Sequence, residues 1–116
     1  MAPAKDIVLV FKSQGMGSTQ EQGLKDKLTG TFLSLINDPQ MLPRAICFYT
    51  DGVYLACDGS PILEALQALE QKGVHLILCQ TCLDYFGLRD QVRVGIVGGM
   101  GDIVTAMWQA DTVISL

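Results

Sequence analysis

Near-continuous apolar runs constrain this chain more than any other feature: IVLVF at 7–11, AICFY at 45–49, VHLIL at 74–78 and TVISL at 112–116. A strand with one wet face alternates polar and apolar residues, whereas a strand covered on both faces does not. The runs therefore predict buried parallel strands in a sheet sandwiched between helices. VRVGIV at 92–97 is broken by Gly95 and predicts a shorter fifth strand.

The segments between the runs carry helical spacing. Leu24, Leu28, Phe32 and Leu35 align on one face of a helix that Asn37, Pro39 and Pro43 bring to an end. Ser60 is placed to cap a second helix with Pro61 at its first position, Ile62, Leu66 and Leu69 on its apolar stripe, and Gly73 at its stop. Asp102 is placed to cap a third, with Ile103, Val104, Met107 and Trp108 facing the sheet; Trp108 at that spacing reads as core or interface. Strands alternating with helices over short connections predict an α/β protein with three α/β/α layers and a mainly parallel, five-stranded sheet.

At 116 residues the chain fits one domain that buries roughly two-thirds of its unfolded surface. With 49% apolar and 17% charged residues it is too apolar for disorder, and no run approaches the ~20 residues of a membrane helix. The opening MAPAKDIVLVF lacks the long apolar core and cleavage site of a secretory signal, so a soluble, cytoplasmic protein is expected. Eight basic against twelve acidic residues, a net charge of -4, and the lack of any basic cluster argue against nucleic acid as a partner.

Parallel sheets expose their strands' carboxyl ends, so four loops should gather at one rim: 13–19, 50–60, 79–85 and 97–102. Gly15, Met16, Gly17 and Ser18 in the first, and Gly98, Gly99 and Met100 in the last, leave amides free for a small anion, although such glycines equally make tight turns. Neither GxGxxG nor GxxxxGK[ST] occurs, and no nucleotide or other cofactor is expected. Tyr54, Leu55 and Ala56 form an apolar patch in an otherwise polar loop, which reads as a subunit contact or a segment folded back on the core.

The third loop carries the strongest chemical signal. In LILCQTCLDYFGL, Cys79 closes a strand and Cys82 follows three residues later, where a helical turn with Thr81 placed as its cap and Asp84 three residues on would point free amides at sulfur and favour the thiolate. A structural zinc site usually needs four ligands, and a second paired cluster is missing, so no metal is expected; His75 reads as a hydrogen-bonded core residue. A CxxC redox pair fits better, though Gln80 and Thr81 between the cysteines include no proline. Cys47, inside an apolar run, reads as a small buried hydrophobe.

Taken with FKSQGMGS, GVYLACDGSPILEALQALEQKGV and VGGMGDIVTAMWQADTVISL, this stretch resembles the DsrE-like domain of YedF-type proteins, within the DsrE/DsrF/DsrH and TusD superfamily, over nearly all of 1–116. The resemblance implies a flavodoxin-like three-layer fold, homo-oligomers such as trimers or hexamers, and a sulfur-carrier or sulfurtransferase-like role in which sulfane sulfur travels as a cysteine persulfide. It maps the working cysteine onto Cys79 and an assisting one onto Cys82; the loop amides of 15–18 and 98–101, read from their glycines, are placed to steady the sulfur's charge. YedF-type proteins commonly begin with a TusA-like domain bearing CPxP. This chain starts at the first strand of the DsrE-like part, so a TusA-like donor is expected as a separate protein. The alternatives are an oligomeric module that binds a small anion or a protein without turnover, and a dithiol redox protein.

Overall fold

The structure, a computed structural model, describes residues 6–116. Five strands form one sheet: β1 (Ile7–Phe11), β2 (Ala45–Phe48), β3 (His75–Cys79), β4 (Ile96–Gly98) and β5 (Thr112–Ser115). Their order is β4-β3-β2-β1-β5, and every neighbouring pair is parallel. Four α-helices connect or follow them: α1 (Gln22–Ile36), α2 (Leu63–Gln71), α3 (Gln80–Phe86) and α4 (Met100–Gln109). A 3-10 segment, Thr50–Ala56, follows β2, and a shorter one, Arg89–Gln91, precedes β4. The expected three-layer, flavodoxin-like α/β arrangement is present, with the sheet wholly parallel.

The layers follow from the order of the strands. The connections from β1 to β2 and from β2 to β3 step in one direction, and right-handed crossovers put α1 and α2 on the same face. The step from β4 to β5 runs back across the whole sheet, which places α4 on the other face, against β3 and β4. In-register parallel pairing then sorts the side chains. Leu9, Phe11, Ile46, Phe48, Leu76 and Leu78 share the face under α1 and α2, where Phe11 and Phe48 stack at 5.8 Å. Val8, Val10, Ala45, Cys47, Ile77 and Cys79 share the α4 face. Most of these residues are buried, each worth about 1.5–3 kcal/mol for a large aliphatic or aromatic side chain.

The α2 stripe is buried as its spacing predicts, with Ile62, Leu66 and Leu69 in the core, Gly73 at φ +97 after the helix, and the start shifted from Pro61 to Leu63. Ser60 holds the turn before it by accepting from Ile62 N at 3.3 Å. The α1 face is different. Leu24, Leu28 and Leu35 are 48%, 45% and 65% exposed, and the buried face is Lys25, Thr29, Leu33 and Ile36. Thr29 tolerates burial because its hydroxyl donates to Lys25 O and accepts from Met16 N.

Two further expectations are corrected at the sheet's other face and edge. In α4, Ile103 is buried and Met107 partly so, but Val104 and Trp108 point outward, Trp108 being 84% exposed. β5 is an edge strand with all four residues exposed, because only β1 flanks it. Tyr54, Leu55 and Ala56 fold back on the core, Leu55 and Ala56 fully, while His75 lies exposed at the start of β3.

Candidate functional site

Cys79 is both the last residue of β3 and the residue that opens α3, its backbone still extended at φ -66, ψ 116. Its partner in the β3/β4 ladder is Gly98, which leaves the thiol a neighbour without a side chain. Cys82 sits one helical turn on, so both thiols lie at the carboxyl end of β3, where Cys79 bears on the ionisation of Cys82. All four cysteines are free thiols, and Cys82 alone is not buried. Cys79 is 1% exposed.

Thr50, at the end of β2, completes the site. Its main-chain N–H donates to Cys82 Sγ at 3.1 Å, and its hydroxyl lies 2.5 Å from Lys12 O and 2.7 Å from Tyr49 O. The residue thus ties the end of β1 to the thiol at the end of β3. It is the only non-glycine residue with positive φ, +47, among those described. A β-branched side chain rarely adopts that conformation.

Burial pushes the Cys82 thiol above its ordinary value, the hydrogen bond with Cys79 pushes the same way, and the Thr50 amide opposes both; the charges of Cys79 and Asp51 add smaller upward contributions. The expectation of a thiolate favoured by a helix N-terminus is therefore corrected for Cys82. α3 has only seven residues and no side-chain cap, Thr81 lies inside it, and Asp84 pairs with Arg89 at 2.8 Å. The other two thiols are structural. Burial raises Cys47 from 9.0 to about 11, and raises Cys57 with some relief from Arg93, while Cys57 Sγ also donates to Val53 O at 3.2 Å.

The glycine loops are less open than the sequence implies. Gly15 N is used by Ser13 O at 2.8 Å and Met16 N by Thr29 Oγ1 at 2.9 Å, which leaves Gly17 and Ser18 of that group. This loop follows β1, two strands and so about 10 Å from the end of β3. Gly98, Gly99 and Met100 do lie beside Cys79, at the start of α4. There Asp102 Oδ2 already accepts from Gly99 N at 2.9 Å, and a carboxylate on that amide opposes a second anion.

A cleft of about 350 Å³ between α4 and the sheet is lined by His75, Ile77, Asp102, Thr105 and Gln109, and neither Cys79 nor Cys82 borders it. Among the described residues, no three His, Cys, Asp or Glu side chains gather as a metal set, and no helix is long and apolar enough to cross a membrane. Sequence reasoning reaches the two cysteines and misses Thr50, whose contribution is a main-chain amide that no side-chain pattern reveals.

The profile of the DsrE/DsrF-like family matches residues 5–116, and the chain belongs to that family. Its fold is similar to that of the YchN protein of E. coli, with a TM-score of 0.69 and 18% identity over 97% of this chain and 99% of that one. It is also similar to a protein of unknown function from Methanobacterium thermoautotrophicum, with a TM-score of 0.65 and 17% identity over 97% and 99% of the two chains. A conserved protein of unknown function from Bacteroides thetaiotaomicron aligns with a TM-score of 0.67 and 15% identity over 96% and 95%. Among curated proteins, none matches the chain significantly.

Proposed function

We propose that this DsrE/DsrF-like protein relays sulfane sulfur as a cysteine persulfide formed on the Cys79–Cys82 pair. The observation that carries the reading is the pair itself: two free, adjacent thiols at the carboxyl end of β3, one of them reachable from solvent. In the transfer, a thiolate of the pair attacks the outer sulfur of a donor persulfide. A new S–S bond forms to the cysteine, the donor's S–S bond breaks, and the donor leaves as a thiolate that takes up a proton. The same exchange, run toward an acceptor thiolate, discharges the protein.

Neither thiol borders the cleft between α4 and the sheet, so in this reading the sulfur is presented by another protein at the rim rather than bound first as a small molecule. A TusA-like carrier, acting in a reducing cytoplasm, is the donor that fits this reading. The chain also self-associates in this proposal, through the outward apolar residues of α4, where Met100, Val104 and Trp108 recur every four residues and are 48%, 44% and 84% exposed.

A dithiol redox role is the second reading, favoured by two free thiols one helical turn apart. A non-catalytic anion-binding module has less support, since the Gly15, Met16 and Gly99 amides are already used. Incubation with a cysteine desulfurase and cysteine, followed by intact mass measurement, should show the gain of one sulfur atom, removed by dithiothreitol. A double Cys79→Ser, Cys82→Ser variant that still gains it sinks the relay; a loss of two hydrogens instead identifies the redox role.

A further inference from the structure

We propose that Cys82, rather than Cys79, is the thiol that takes the incoming sulfur, and that Thr50 is the positioning residue that presents a main-chain N–H to it. The inference rests on the sulfur-relay reading and assigns the two thiols unequal parts within it.

Access comes first. Attack on a persulfide carried by another protein needs the nucleophilic sulfur at the surface, in line with the donor's S–S bond. Cys79, 1% exposed and opposite Gly98 in the ladder, offers a protein-borne donor almost no surface. Cys82 is the partly exposed thiol of the four, in the first turn of α3.

Charge comes second. The attacking form is the thiolate, and the persulfide that replaces it is anionic too, so a donor aimed at that sulfur favours both. Thr50 N–H, 3.1 Å from Cys82 Sγ, is the one such donor the structure supplies to Cys82. The remaining titratable groups facing this sulfur are Cys79 beside it and Asp51 in the β2 loop, and both work against the thiolate.

Strain comes third. Holding a threonine at φ +47 is a strained conformation that a glycine there would avoid. The hydroxyl explains how the conformation persists: at 2.5 Å from Lys12 O it fastens the β2 loop to the end of β1, and the amide is left facing α3. Threonine's side chain fixes the direction of threonine's own N–H.

The experiment loads the full chain with inorganic polysulfide and measures intact mass, with alkylation of each thiol followed against pH. Cys79→Ser should keep the one-sulfur gain and Cys82→Ser should lose it. Thr50→Val, which removes the hydroxyl and keeps the β-branch, should raise the Cys82 alkylation midpoint and leave about tenfold less thiolate at neutral pH, the effect of losing one hydrogen bond to a charged group. Thr50→Ser should restore both midpoint and loading. Failure of the unsubstituted protein to load overturns the relay reading itself. Loading that survives Cys82→Ser or requires Cys79 overturns this assignment alone, and a Thr50→Val variant with a lowered melting temperature but an unchanged midpoint reduces Thr50 to a structural residue.

Discussion

Cys79 and Gly98 stand opposite each other in the parallel ladder of β3 and β4, on the face that α4 covers. A Cβ added to Gly98 would lie 2.9 Å from Ile77 Cγ2 and 3.1 Å from Asp102 Oδ2, so the bare glycine lets the start of α4 close over the end of β3. Gly98→Ala must push Ile77 or Asp102 aside, and Asp102 is the side chain that caps α4 through Gly99 N. We expect a loss of about 1–3 kcal/mol in urea denaturation. Gly101→Ala is the control, because a Cβ there meets nothing and alanine is the better helix former, by about 0.5–1 kcal/mol. Two losses of equal size would show that Gly98 has no special role.

The rotation of α1 reverses which of two leucines should be the costlier to remove. If Leu24, Leu28, Phe32 and Leu35 faced the sheet, Leu28→Ala would be costly. In the structure Leu33 is fully buried and Leu28 is 45% exposed. Leu33→Ala should lose about 2–5 kcal/mol, and Leu28→Ala no more than about 1 kcal/mol in the isolated chain. Equal losses would restore the stripe that periodicity selects.

That stripe explains where the sequence is legible and where it is not. The strands are legible because Val8 to Phe11, Ala45 to Phe48 and Leu76 to Cys79 are apolar at every position, which only two-sided cover permits, and α2 because Ile62, Leu66 and Leu69 are the apolar positions and also the buried ones. α1 misleads because its buried face includes a lysine and a threonine. Lys25 lies along the core with Nζ donating to Ser13 Oγ at 3.1 Å, and Thr29 satisfies its hydroxyl within the helix and the β1 loop. Hydrophobic periodicity cannot choose such a face over one bearing three leucines. β5 misleads in another way: an edge strand reads like a central one when its exposed residues are valine and isoleucine, 41% and 36% exposed. At the site, Cys79 and Cys82 announce themselves by spacing, whereas the Thr50 amide depends on a backbone angle that the residue type disfavours.

The outward face of α4 sets a prediction for self-association. Trp108 is 84% exposed and Val104 44% exposed on the same side, one turn apart. Replacing Trp108 with lysine removes a large apolar side chain without touching the core, so the fold should survive with its circular dichroism unchanged. If α4 is the contact proposed above, light scattering should report a multiple of the chain mass for the unsubstituted protein and a single-chain mass for the variant. A single-chain mass for both proteins would remove α4 as a contact.

The buried Cys47 thiol makes stability depend on alkaline pH in a way that can be isolated. Its side chain is fully buried on the α4 face of β2, and burial raises its pKa from 9.0 to about 11. A thiol whose folded value is the higher one stays protonated in the fold while the unfolded chain begins to ionise. Below pH 9.0 both states hold the proton and the group contributes no pH dependence. Between 9.0 and about 11 the unfolded state alone gains charge and water, so stability falls as pH rises, by up to roughly 2–3 kcal/mol once the folded value is passed. Other groups of the chain also contribute to the raw slope, which makes it uninformative by itself. Comparison with Cys47→Ala removes them: the variant should be less stable than the parent at pH 8 because of the cavity it leaves, and the gap should narrow steadily from pH 9 to 11 as the parent loses its thiol contribution. A gap that stays constant across that range would show that Cys47 ionises in the fold as freely as in the unfolded chain, and that its burial does not raise the thiol.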